Sequence, residues 1–374
     1  MSPNNDHTDG RTDRRTFLAG ATAAAGIGLA GCTDLLSDDG DDPEPGLIGS
    51  GRADRSEPGG TPMAELPALS GELNLYSGRN EFLVGRLVDY IQNLYDDFEI
   101  TPRYRDSVDL VNTIVNEGEN TSADVFFSVN AGALGALADE GRARTLSDDV
   151  LELVDPSFRT DSWVGTSGRA RTVPYNTEAL SESDLPTDIM AYEGFEGDLG
   201  WAPGYGSCQA FVTAMRILEG EDRTRQWLQG VVDSGIEQYN DEFRVCQAIA
   251  DGEIDAGFTN HYYIQRVLDE DPDAPIATQF TESDAGVVFN VAGAAVVDAT
   301  DQPDLAENFL RHLLSAEAQE FFAVETFEYP MIDEVDPVGN LPPASELDVP
   351  DLDLSQLSDL EPTIDLMRDV GINI

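Results

Sequence analysis

Cysteine, histidine and tyrosine are the side chains here whose spacing could do chemistry. The three cysteines, Cys32, Cys208 and Cys246, form no CxxC pair and no Cys/His cluster with zinc-site spacing. Of three histidines, His7 lies near the N-terminus, and neither His261 nor His312 belongs to an HExxH. GxSxG and Walker-type glycine loops are both absent. A hydrolase would have only Ser207 and His261 as obvious nucleophile and base. Two tyrosines, Tyr262 and Tyr263, stand side by side. A phenolate is a hard, anionic oxygen donor, and two adjacent ones leaving a strand reach one ion only if the backbone turns there. The order fits such a turn, because a strand-like run at 254–259 precedes Asn260-His261. On spacing alone, a Tyr-Tyr pair is ordinary packing.

The elements around these residues alternate between strands and amphipathic helices. Residues 72–77 alternate as a strand, and 81–98 place Leu83, Leu87, Tyr90, Ile91, Leu94, Tyr95 and Phe98 on one helical stripe. Residues 123–128 read as a strand run leading into a helix, with Asn130 as N-cap. Helices are expected at 209–218, 224–232, 243–250, 304–314 and 361–370, and strands at 199–202, 254–259 and 287–297. Repeated βα alternation predicts a parallel or mixed sheet with helices on both faces, and ligands at the carboxyl ends of its strands.

The net charge of −51 excludes ordinary nucleic-acid binding, which draws its affinity from basic groups. All 21 basic residues are arginine. With 41% hydrophobic residues in periodic segments, the chain is not a disordered acidic polymer. Concentrated salt shortens screening to roughly 3 Å at 1 M and makes such self-repulsion tolerable. The composition therefore points to an extreme halophile of haloarchaeal type.

The N-terminus reads as an address. Asp13-Arg14-Arg15-Thr16-Phe17-Leu18 is a twin-arginine export motif, followed by a small-residue apolar run to Gly31. That run is too short for a hydrocarbon core of roughly 30 Å. Leu29-Ala30-Gly31-Cys32 resembles a lipobox that would leave Cys32 as the lipidated first residue. Residues 33–70, rich in Asp, Gly, Pro and Ser, are expected to be a flexible tether spanning roughly 35 Å, with the structured part beginning near Gly71.

Seven motifs in fixed order carry a family resemblance. They are Leu75-Tyr76-Ser77-Gly78-Arg79-Asn80, Ser122-Ala123-Asp124-Val125-Phe126, the run from Trp163 to Arg171, Gly200-Trp201-Ala202-Pro203, Asp251-Gly252-Glu253-Ile254-Asp255, Asn260-His261-Tyr262-Tyr263 and Glu328-Tyr329-Pro330. From about Leu73 to Pro337 the chain resembles the ferric-ion-binding proteins of ATP-driven importers, within the two-lobed solute-binding proteins. The resemblance implies an α/β clamp like the type II periplasmic binding proteins, with a two-strand hinge. Lobe one would comprise 71–171 and 293–343, and lobe two 172–292 and 344–374, with Fe³⁺ bound between them.

On that resemblance Tyr262 and Tyr263 become iron ligands, their phenolates stabilised by the bound cation although a free phenol has a pKa near 10. Some members add a histidine and a carboxylate at positions that are Asn80 and Val129 here. Another branch adds a third tyrosine, for which Tyr205 lies in the matching loop. A synergistic anion, carbonate or phosphate, would use Gly206 and Ser207 at a helix start, together with Asn260, Arg169 and Arg171. An asparagine of the family's anion site is Glu242 here, which either gives an oxygen to the metal, and so replaces the anion, or points elsewhere. Cys208 and Cys246 lie on helices that approach each other in the family, and a disulfide is permissible outside the membrane.

The implied function is a receptor and not an enzyme, delivering iron to an ABC permease with its ATPase subunit. It would be monomeric and extracellular, held to the membrane through the N-terminal lipid alone. Two alternatives remain open: a receptor for a small organic or inorganic anion on the same fold, and an exported hydrolase.

Overall fold

The computed structural model describes Arg55 and residues 57–374. The expected signal peptide, Cys32 and most of the tether lie outside the described residues. The first body begins with β1 (Gly71–Ser77), α1 (Glu81–Asn93), β2 (Phe98–Tyr104), α2 (Ser107–Glu117), β3 (Val125–Ser128), α3 (Ala131–Asp139) and α4 (Asp148–Leu151). The long strand β4 (Val164–Asn176) leads to β5 (Leu199–Trp201), α5 (Gly206–Glu219), α6 (Glu221–Asp233), β6 (Glu237–Gln238), α7 (Glu242–Ala250), β7 (Ala256–Asn260), α8 (His261–Glu270) and β8 (Ile276–Gln279). Strand β9 (Phe289–Val296) then precedes α9 (Pro303–Leu313), α10 (Ala316–Glu325) and the final helix α11 (Glu361–Asp369).

The sheet runs in the order β2-β1-β3-β9-β4-β7-β5-β6, with β8 also on β4. Strands β1, β2 and β3 are mutually parallel, as are β5, β6 and β7, which fits their helical crossovers. Antiparallel β4 and β9 join the two groups. The first half of β4 pairs with β9, from Val164 opposite Ala294 to Ala170 opposite Phe289, and its second half pairs with β7 and β8. Separate apolar cores form on either side. Leu75, Phe126, Phe127, Val291 and Phe309 belong to one, and Trp201, Phe211, Trp227 and Phe258 to another. This is the expected two-body arrangement joined by two strands.

The helix expected over 81–98 ends at Asn93, and Phe98 opens β2 instead. Phe98 and Ile100 then bury one face of that strand, so a period-2 stretch follows directly on a helical one. Asn130 caps α3 as expected, its Oδ1 accepting from Ala133 N at 2.9 Å. Residues 57–70, expected in the tether, lie against the body. Met63 is fully buried, its N–H donates to Glu317 Oε2 at 2.9 Å, and Gly59 N donates to the Glu334 carbonyl at 3.0 Å.

The tail crosses between the cores. Leu347 sits in the first, while Leu357, Leu366 and Met367 sit in the second. Its crossing segment lies close on α3, where a Cβ on Gly132 would fall 2.6 Å from Ser358 Cβ and one on Gly135 2.8 Å from Ser355 Cβ. Among the described residues no helix is long and apolar enough to cross a membrane.

Candidate metal site in the interlobe cleft

Strand β7 passes into α8 without a loop, since Asn260 is both the last strand residue and the extended residue before the helix. Tyr262 and Tyr263 therefore occupy the first turn of α8, at the carboxyl end of a strand, as the residue order predicts. Their ring centroids lie 4.3 Å apart. Tyr263 is buried, Tyr262 half-buried. Tyr205, which precedes α5, completes a cluster of three: the Tyr263 hydroxyl donates to the Tyr205 hydroxyl at 3.0 Å. The Asn260 side-chain amide donates to the Tyr262 hydroxyl at 3.3 Å.

Burial, then the nearby Glu242 carboxylate, holds the Tyr262 phenol above its ordinary pKa. Burial also raises Tyr263, with Tyr262 and the bond to Tyr205 adding to it.

Glu242 opens α7 and is fully buried. One carboxylate oxygen accepts from Arg171 Nη1 at 2.5 Å and from Ser207 Oγ at 2.6 Å, and the other from Asn260 N at 3.0 Å. Arg171 Nη2 donates to the Phe258 carbonyl at 2.5 Å, and the guanidinium lies 4.9 Å from the Phe211 ring centroid. Burial alone would lower the Arg171 pKa, but the Glu242 charge beside it holds it above its usual value.

A cavity of about 490 Å³ lies alongside. All five residues expected to meet an anion (Gly206, Ser207, Asn260, Arg169 and Arg171) line it. Asn130 and Ala133 of α3 face them from the first body, and Leu357, Ser358 and Leu360 of the tail close one side. Arg169 donates through Nη2 to the Val129 carbonyl and lies 4.0 Å from Glu328. The cavity adjoins the tyrosine cluster through Asn260.

Other residues singled out in the sequence have different employment. The Asn80 side chain accepts from Leu83 N at 3.0 Å, capping α1. His261 is fully buried against β4, Nδ1 accepting from Ala170 N at 3.2 Å and Nε2 donating to the Phe327 carbonyl at 2.8 Å. Burial depresses its pKa to about 4, so it is a neutral ring with both nitrogens occupied, unlike a base beside Ser207. Cys208 and Cys246 are free thiols, and burial pushes both up to about 12. Among the described residues no group of three or more His, Cys, Asp or Glu could hold a metal.

Two features escaped the sequence reading. The pairing of Arg171 with Glu242 joins β4 to α7, 71 residues apart, and no local pattern announces it. The tail's place in the cavity wall had one available signal: Gly132 and Gly135, three apart on α3, mark a face that another segment approaches closely.

Residues 87–346 match the family described as bacterial extracellular solute-binding protein. The chain belongs to that family. This solute-binding protein is 28% identical over 319 residues to the major ferric iron-binding protein of Neisseria meningitidis, covering 83% of this chain and 95% of the relative. It is similar to iron-bound HitA from Pseudomonas aeruginosa, with a TM-score of 0.69, 28% identity, and coverage of 80% of this chain and 99% of the other. A Trichodesmium protein in complex with iron and citrate gives a TM-score of 0.69 at 25% identity, with 81% and 100% covered. The fold is accordingly the two-lobed clamp of the type II periplasmic binding proteins, and membership in a family of binding proteins agrees with the expectation that the chain is not an enzyme.

Proposed function

We propose that this protein is the receptor of an ABC importer and that it captures ferric iron through the phenolates of Tyr262, Tyr263 and Tyr205. The observation that carries the reading is the convergence of three phenols where β7 passes into α8, beside a cavity that shares Asn260 with them. Fe³⁺ is a small, highly charged cargo that favours hard anionic oxygen, and its charge stabilises the deprotonated phenols. Three phenolates match three positive charges. Glu242 is close enough to act on the Tyr262 phenol electrostatically and is tied into the same cluster through Asn260.

Lobe closure about β4 and β9 would sequester the ion, and a permease with its ATPase subunit would receive it. The expected bodies, 71–171 plus 293–343 and 172–292 plus 344–374, need adjusting at their edges, since Met63, Val287, Phe289, Val291 and Leu347 pack in the first core while Leu357, Leu366 and Met367 pack in the second. Twin-arginine export and lipidation at Cys32 would hold a monomer outside the cell, and the charge of −51 suits a haloarchaeal, salt-rich setting.

The cavity also supports a second reading, a receptor for a small anion in which Arg169, Arg171, Ser207 and Asn260 make the contacts. Competition with nitrilotriacetate for Fe³⁺ separates the two. In the iron reading, Tyr262→Phe and Tyr263→Phe each weaken iron retention by more than the roughly 10–100-fold typical of outer-shell losses. Unchanged retention in both variants, or none in the wild type, would overturn it.

A further inference from the structure

Glu242 is a wholly buried acid near Tyr262, and its partners belong to three of the five residues that would otherwise receive a free anion. The Ser207 hydroxyl, the Asn260 backbone N–H and the Arg171 guanidinium all donate to it, at 2.6, 3.0 and 2.5 Å. These donors come from α5, the β7–α8 junction and β4, and the carboxylate sits where they converge. Its side chain is wholly buried, so solvent anions do not displace it without opening the second body. A carboxylate so placed neutralises Arg171 and accepts the bonds that would draw an exogenous oxyanion to this corner of the cleft.

We infer that the Glu242 side chain serves as a built-in anion, so that iron capture requires no carbonate or phosphate from solution. The inference rests on the ferric reading of the site and adds that its anion is covalently part of the chain. In that role Glu242 acts as a positioning and specificity residue. It fixes Asn260 N, whose side-chain amide meets the Tyr262 hydroxyl, and it holds Ser207 at the start of α5 beside Tyr205.

The test is an anion-linkage measurement on the full-length protein in carbonate-free, phosphate-free, high-salt buffer. Fe³⁺ is supplied against fixed nitrilotriacetate, and the apparent iron affinity is read with and without added bicarbonate or inorganic phosphate. Linked sites change each other's affinity reciprocally, commonly by about 5–150-fold, so a required anion raises iron affinity by about tenfold or more. The expected result is a change under about twofold for the wild type, well below that linked range. In Glu242→Gln, which keeps the shape and removes the charge, added phosphate or bicarbonate should raise the affinity by about tenfold or more, rescuing the lost anion. A wild type that gains about tenfold from either anion overturns the inference, whether or not the variant folds. So does a folded Glu242→Gln that binds as tightly as wild type and ignores both anions. Absence of any iron binding by the wild type would instead sink the ferric reading itself.

Discussion

Replacing Arg171 with Met strands a buried carboxylate, and the structure says how costly that should be. Both partners are almost completely out of water, with Arg171 at 3% and Glu242 at 0% side-chain exposure, and the Nη1–Oε1 distance is 2.5 Å. Removing one member of a buried pair costs about 3–5 kcal/mol, because the remaining charge keeps its desolvation penalty without its partner. The Ser207 and Asn260 donors remain on Glu242 and keep the loss at the lower end of that range. The lost bond to the Phe258 carbonyl and the lost stacking over Phe211 push the other way. We therefore expect Arg171→Met to lower stability by about 3–5 kcal/mol, and Arg171→Met/Glu242→Gln to recover at least half of it, since the stranded charge is then gone. Urea unfolding at fixed high salt, followed by tryptophan fluorescence, measures both, because Trp201 and Trp227 lie in the same core as Phe211 and Phe258. The reasoning fails if the single variant loses less than about 1 kcal/mol, the worth of an exposed pair. It fails equally if the double variant is no more stable than the single one.

Other consequences are more local. His312 is buried and neutral, with Nδ1 donating to the Asn308 carbonyl at 2.7 Å and Nε2 accepting from the Tyr95 hydroxyl at 2.7 Å, and burial lowers its pKa to about 4. The unfolded chain takes up this proton near pH 6.5 and the folded one only near 4, so stability falls as pH drops through that window, by about 3 kcal/mol at most. Urea midpoints at the two ends of the window should show His312→Gln losing less than wild type, and equal losses would contradict the assignment. Asn130→Ala removes the α3 cap and should cost about 1 kcal/mol in the same unfolding assay, with no loss pointing to another cap.

How far the sequence reaches depends on whether the controlling interaction is local. The turn that brings Tyr262 and Tyr263 together is set by a strand ending at Asn260 and a helix beginning at His261, and residue order alone predicts it. The Asn130 cap is equally local. Strand β4 is the opposite case. Its Gly165-Thr166-Ser167-Gly168-Arg169 stretch has poor strand composition, yet β4 runs between both cores because distant partners bond its polar side chains. Ser167 donates to Glu328 at 2.7 Å, Arg169 meets the Val129 carbonyl, and Arg171 meets Glu242. Residues 57–70 misled for a related reason. Their Pro and Gly content reads as tether, but Met63 finds a buried site and Arg55, just before them in the same expected tether, bonds bidentately to Glu320, contacts that only the assembled body provides.

The central claim, that tyrosine oxygens hold the iron, is tested most directly by resonance Raman spectroscopy of the iron-loaded protein, excited within its visible absorption. Tyrosinate ligation should give enhanced tyrosinate ring and C–O modes from a phenolate-to-iron charge-transfer band, and their loss in Tyr262→Phe and Tyr263→Phe. Iron bound with no tyrosinate modes, or with modes that survive in both variants, would contradict it.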